Sequence, residues 1–152
     1  MTDCVESYFL SSSDEKLKLI KSLVQQDDIK SLYGLLFKSD IGEKIFLLDQ
    51  LSRLDTQGSF KQIFTEALRT NASELFKFVA LELDYPGYFF DIAEYNQMVL
   101  KALFLELDLS QMKHLKKRKN PLLDQMIADY KEERELANRE VPAGIDFYRS
   151  LV

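Results

Sequence analysis

Residues 91–107, Asp-Ile-Ala-Glu-Tyr-Asn-Gln-Met-Val-Leu-Lys-Ala-Leu-Phe-Leu-Glu-Leu, constrain this chain more than any other stretch. They form its most apolar segment and lie between two polar, loop-like passages. The segment contains no Gly or Pro and is rich in Leu and Ala, which favour the helix. Asp91 followed three residues later by Glu94 is a capping-box start, with Asp in the place of Ser or Thr. At about 100° per residue, Ile92, Ala93, Val99, Leu100, Leu103 and Leu107 share one face. Glu94, Gln97, Lys101 and Asp108 make a narrow polar stripe opposite, read as solvated. Met98, Phe104 and Leu105 widen the apolar coverage, so the helix is expected to be contacted on more than one side. At about 16 residues, interrupted by Lys101 and Glu106, it is too short for a confident membrane span.

Asn96 falls in the middle of the apolar face. An unpaired buried amide costs roughly 1–3 kcal/mol. Asn96 is therefore expected to bond the end of a neighbouring helix and fix register, or else to line a pocket.

The rest of the chain repeats the helical pattern. Residues 1–10 read as a short helix through Val5, Phe9 and Leu10. Ser12 and Glu15 form a capping box for a helix to about Gln26, with Leu17, Ile20, Leu23 and Val24 inward. Asp27-Asp28 starts a second, which Gly34 weakens. Ser39 or Asp40 caps a third, carrying Ile45, Phe46, Leu48, Leu51 and Leu54. Ser59 caps a fourth, with Phe60, Ile63, Phe64, Ala67 and Leu68 inward. Asn71 separates this from a fifth, with Leu75, Phe76, Val79, Ala80 and Leu83. Gly (5) and Pro (3) are scarce, which argues against an all-β fold built on tight turns. The expectation is a single all-α domain over residues 1–152. Its architecture is an irregular antiparallel helical array, either HEAT-like α-α repeats or a compact bundle.

Composition excludes several functions. The net charge is −5, which disfavours a general nucleic-acid binder. One cysteine, Cys4, rules out an internal disulfide and a Cys-based metal site. One histidine, His114, leaves little for His-based metal centres or catalytic triads. The N-terminus carries acids and no basic region, so it is not a secretory signal, and a cytoplasmic location is the default. No metal or cofactor is expected.

Three passages carry candidate chemistry. Asp84-Tyr-Pro-Gly-Tyr-Phe-Phe-Asp91 is an aromatic-rich loop that either lines a site or is pinned to the core by its rings. Lys113, Lys116, Lys117, Arg118 and Lys119 form a basic run that is either a solvated connector or a site for a small anion. His114 shares that surface. Asn120-Pro121 is a strong helix start. The helix that follows, to about Arg139, places Leu122, Met126, Tyr130 and Ala137 on one face, with Glu133 among them. A carboxylate there requires either an ion pair, through Arg69 or Arg134, or a ligand. Asn71, Asn96, Arg118, Asn120, Asp129, Tyr130, Glu133 and Arg134 are the candidate ligand- or partner-binding residues. No residue is singled out as catalytic, and the scattered glycines offer no phosphate-cradling loop.

Four blocks resemble the EboA family: Glu66-Ala-Leu-Arg-Thr-Asn71, Tyr95-Asn-Gln-Met-Val-Leu-Lys-Ala-Leu-Phe104, the run from Lys119 through Asn120-Pro121 to Ala128-Asp-Tyr-Lys-Glu-Glu-Arg134, and Arg139-Glu-Val-Pro142. Their order and spacing are similar to that family over roughly residues 64–149. Residues 1–60 share only a helical texture. Glu132 stands where the family usually has His, and Asn138 where it has Gly, a residue that can also end a helix in the left-handed conformation. The resemblance implies a cytoplasmic bacterial protein of a gene cluster linked to secondary-metabolite movement or processing. The expected role is a non-catalytic scaffold or adaptor, with a small-molecule carrier as the alternative. The implied partners are proteins of the same metabolite pathway, a membrane enzyme among them, or a small-molecule metabolite, and no nucleic acid.

Overall fold

Backbone hydrogen bonding follows the caps written into the sequence. The computed structural model describes residues 7–152. They are all-α, with no strand among them. Cys4 and the Val5 end of the expected first helix lie outside the described residues.

Contacts group the chain into two compact units, the first ending at Val79 and the second beginning at Ala80. The first contains α1 (Ser13–Gln25), α2 (Ile29–Lys38), α3 (Ile41–Leu54), α4 (Lys61–Ala67) and α5 (Ser73–Lys77). Each of α1, α2 and α3 starts at an expected cap: the Ser12 hydroxyl accepts from the Glu15 amide, Asp28 from Ser31, and Asp40 from Glu43. Ser39 instead donates its hydroxyl to the Leu35 carbonyl. Burial of Ile20, Leu23, Leu32, Leu35, Leu36, Leu47, Leu48 and Leu51 packs α1 and α2 on each other and on α3. The start of α4 differs from expectation. Its N-cap residue is Phe60 and no side chain caps it locally. The buried Asp55 carboxylate does that work from a distance, accepting from the amides of Ser59 at 3.0 Å and Phe60 at 2.8 Å.

The expected fifth helix is shorter than its apolar pattern. After Lys77 the ladder slips into a π turn, Phe78–Glu82, which carries the chain into the second unit. There the expected aromatic loop is one turn of helix, α6 (Tyr85–Phe89), because Pro86 occupies its first turn, where no amide is needed. The central helix α7 (Ile92–Phe104) follows, then a 3-10 turn (Leu109–Gln111), α8 (Leu115–Arg118), α9 (Pro121–Leu136) and α10 (Ala143–Ser150). The α7 capping box is complete: Glu94 N donates to Asp91 Oδ1 and Asp91 N to Glu94 Oε1, both at 2.8 Å.

Helices α1, α7 and α9 end alike. Asp27, Glu106 and Asn138 sit at φ near +55°. In each, the following amide reaches back five residues, as in Arg139 N to Arg134 O at 2.9 Å. These are Schellman ends made without glycine, and Asn138 adopts the left-handed form expected of it.

Candidate functional site

The observed faces of α7 and α9 are both rotated from the expected ones. On α7, Tyr95, Asn96, Met98, Val99, Ala102 and Leu103 are buried, while Ile92 is 56% exposed and Ala93 is exposed. Lys101, expected on the solvated stripe, is half-buried, and burial lowers its pKa. On α9 the inward residues are Leu123 and Ile127; Leu122 is 56% exposed, and Glu133 and Ala137 lie outside. The cause is polar. Tyr95, Asn120 and Asp124 make specific bonds to neighbouring elements, whereas a hydrophobic pattern simply places such residues outward.

The bonds of Tyr95, Asn96, Arg118 and Asn120 form one connected clasp in the second unit. Asn96, with no exposed surface, pairs reciprocally with the cap of α9: Asn120 Nδ2 donates to Asn96 Oδ1 at 2.8 Å, and Asn96 Nδ2 to Asn120 Oδ1 at 3.3 Å. Asn120 Oδ1 also accepts from the Leu123 amide at 2.9 Å, which starts α9. Asn96 is thus a register lock, bonded to a helix cap. Arg118 closes the other side. Its guanidinium donates to the carbonyls of Gly87 (3.0 Å), Phe90 (2.7 Å) and Asp91 (3.1 Å) and lies 4.6 Å from the centre of the Tyr95 ring. It therefore satisfies the Gly87 and Phe90 carbonyls, which α6 leaves unpaired, and shares the Asp91 carbonyl with the Tyr95 amide that opens α7. Tyr95 donates its hydroxyl to the Lys113 carbonyl at 3.0 Å, and burial raises its pKa. Lys113 Nζ donates to the Glu82 carbonyl where the π turn ends.

The aromatic turn and the basic run are thereby locked together. His114 adopts a left-handed conformation, and its Nε2 lies 2.9 Å from Asp84 Oδ1. Its ring packs against Tyr88 and close over Gly87, where a Cβ would meet His114 atoms at 2.6 and 2.7 Å. Tyr85 and Phe90 are buried, as a pinned segment requires, while Tyr88 remains 65% exposed.

A second cluster lies where α9 meets α10. Tyr148 donates to Asp124 Oδ1 at 2.6 Å, Lys119 Nζ is 2.9 Å from the same oxygen, and Lys119 stacks 4.2 Å from the Tyr148 ring centre. The Tyr148 bond, then the Lys119 bond, hold the Asp124 carboxyl below its ordinary pKa. Burial, then the Asp124 bond, push the Tyr148 phenol up. A phenol held protonated in this way is a structural donor and a poor general base.

The remaining candidates separate. Asn71 lies in the first unit, in the turn before α5. Asp129 is exposed and accepts from Gln125 at 2.7 Å along its own helix. Arg134 Nε donates to the Glu140 carbonyl at 2.8 Å, folding the segment after α9 back upon it. Arg69 pairs with Glu66 at 3.7 Å. The inward Glu133 expected from the sequence is corrected: the polar bonds fix the rotation of α9, and Glu133 is exposed. Tyr130 packs edge-on against Phe104, with ring centres 4.8 Å apart, and Phe104 is itself 56% exposed. An apolar strip results along the outer side of α9, made by Leu122, Met126 and Tyr130 with Phe104, where sequence patterning expects core. Among the described residues, no group of three or more His, Cys, Asp or Glu side chains is placed to hold a metal ion, and no helix is long and apolar enough to cross a membrane.

No curated protein and no solved structure matches the chain. A family model does, and it reaches well into the first unit, beyond the blocks that carry the resemblance in sequence. The polar clasp of Asn96, Arg118 and Asn120 lies within the matched region. The match, to the family described as metabolite traffic protein EboA, covers residues 14–149 of 152, and the chain belongs to the EboA family.

Proposed function

We propose that this chain serves metabolite traffic as a non-catalytic helical adaptor, docking a protein of the same pathway on the outer face of α9. Membership of the EboA family supports the metabolite-traffic setting. The observation that carries the adaptor reading is the strip of exposed Leu122 and Phe104 with half-buried Met126 and Tyr130, and with Leu136 78% exposed farther along the same helix. A contiguous apolar surface of this kind marks interaction sites on soluble proteins. Exposed acids lie with it: Asp129 and Glu133 on the same face of the helix and Glu132 to one side. The complementary partner is an apolar face with a Lys- or Arg-rich rim. A membrane enzyme of the pathway can present such a face as readily as a cytoplasmic one.

The residues that suggested a metabolite carrier favour the adaptor instead. Asn96, Arg118 and Asn120 spend their polar groups on one another and on backbone groups. The test is replacement of the native gene by one encoding the F104S/Y130S pair, in the producing host. Both sites are partly exposed, so the fold is expected to survive, as circular dichroism will verify. The adaptor reading expects the metabolite to accumulate before its point of delivery. Normal delivery by a folded, normally expressed variant contradicts it.

A further inference from the structure

A cavity of about 320 Å³ opens between α8 and α10, and it lies entirely within the second unit. Its walls are mainly apolar, Met112, Leu115, Phe147 and Leu151, with the half-buried His114 among them. Lys116 and Lys117 stand at its rim, both exposed. Their situation differs from that of the other basic residues nearby. Lys113 is bonded to Glu82, Arg118 to three carbonyls and Lys119 to Asp124, and the imidazole of His114 is held by Asp84. Among the described residues, Lys116 and Lys117 form no ion pair, so both charges are available at the rim.

The other side of Phe147 has the opposite character. A second cavity, about 430 Å³, also uses Phe147 as a wall, and Glu106 and Asp108 stand at its edge. Half-buried Phe147 thus divides a basic-rimmed apolar hollow from an acidic-rimmed one. An anion is attracted to the first and repelled from the second.

The geometry points to a binding site for a small amphipathic carboxylic acid in the Lys116/Lys117 cavity, its apolar body against Leu115 and Phe147 and its carboxylate at the two lysines. The volume lies at the small end for ligand sites, and apolar walls with a few charged groups at one end are their usual make-up. The site shares no lining residue with the α9 strip and does not depend on that strip binding protein. Because the lysines are exposed, the charge contribution is modest and screened by salt.

Octanoate is a suitable probe and octanol its uncharged control, titrated into the full chain labelled at Met and Leu methyl groups and observed by NMR. Octanoate is expected to cause saturable shifts at Met112, Leu115 and Leu151. The K116E/K117E variant, altered only at exposed positions, should weaken octanoate by about fivefold or more, the scale of two exposed ion pairs. Octanol should bind the native chain correspondingly less well. Three results would each overturn the assignment: no saturable shift at these methyls, equal affinity for octanol, or shifts confined to Leu107 and Leu109 in the acidic-rimmed cavity.

Discussion

Asn96→Asp exchanges the amide NH2 for an oxygen and leaves the shape of the side chain almost unchanged. In the native clasp Asn96 accepts from Asn120 Nδ2 at 2.8 Å and donates to Asn120 Oδ1 at 3.3 Å. In the variant, an ionised carboxylate keeps the first bond and sets a bare oxygen against Asn120 Oδ1, with no proton between them. The protonated carboxyl donates there and restores the pair. Burial, at zero exposure, also disfavours the charged form. Both effects raise the carboxyl pKa in the folded state. The sign follows: the variant is close to native stability below the unfolded carboxyl pKa of about 3.9, loses stability as pH rises toward the folded pKa, and is level above it. One retained bond from Asn120 moderates the penalty. A rise of about two in the folded pKa corresponds to nearly 3 kcal/mol lost at pH 7. That is a large share of the roughly 5–15 kcal/mol of a typical domain. Urea unfolding of variant and native chain, compared at each pH from about 4 to 8, spans this window and measures the difference directly. A stability difference that stays flat across this range would refute the buried reciprocal pair.

Other perturbations test the surrounding structure. Glu106→Gly removes a side chain from a left-handed position that closes α7 and should raise stability by roughly 0.5–1 kcal/mol in chemical denaturation. Gly87→Ala drives a Cβ into the His114 side chain and should cost about 1–3 kcal/mol, and the same substitution in a His114→Gly background, which removes the His114 Cβ as well as the ring, should cost distinctly less. Tyr95 and Tyr148 have phenols raised by burial, and that of Tyr8, buried with no hydrogen-bond partner among the described residues, is pushed up to about 12 chiefly by the same cause. A raised folded pKa gives stability that is complete below the unfolded value of about 10 and lost above it, so these phenols should ionise only together with alkaline unfolding when followed by tyrosine absorbance.

Caps and helix existence were legible in the sequence because each depends on a few adjacent residues. Ser12, Asp28, Asp40, Asp91 and Asn120 all cap as their local chemistry dictates. The orientation of helices was less legible, because it depends on partners distant in sequence. Tyr95 finds Lys113, Asn96 finds Asn120, and Asp124 finds Tyr148, across separations of 18, 24 and 24 residues. Each ties a polar group to another element, and the bonds of Asn120 and Asp124 turn α9 so that Leu122 is outside and Leu123 inside. That rotation takes Glu133 out of the core and exposes the strip that patterning buries. The α4 cap was missed for a similar reason: Asp55 acts five residues ahead of Phe60, beyond the usual capping spacing. The register role of Asn96 was legible because a buried amide must be paired wherever it sits.

The proposed division of roles has the polar signature residues building the scaffold and the outer face of α9 docking a partner. Hydrogen–deuterium exchange of the chain, alone and with purified candidate proteins of the proposed metabolite-traffic pathway, separates these two roles. One of those proteins is expected to slow exchange along residues 122–137, and F104S/Y130S is expected to abolish the effect. If none of them binds, or if protection appears elsewhere and survives that substitution, the division of roles between clasp and strip is wrong.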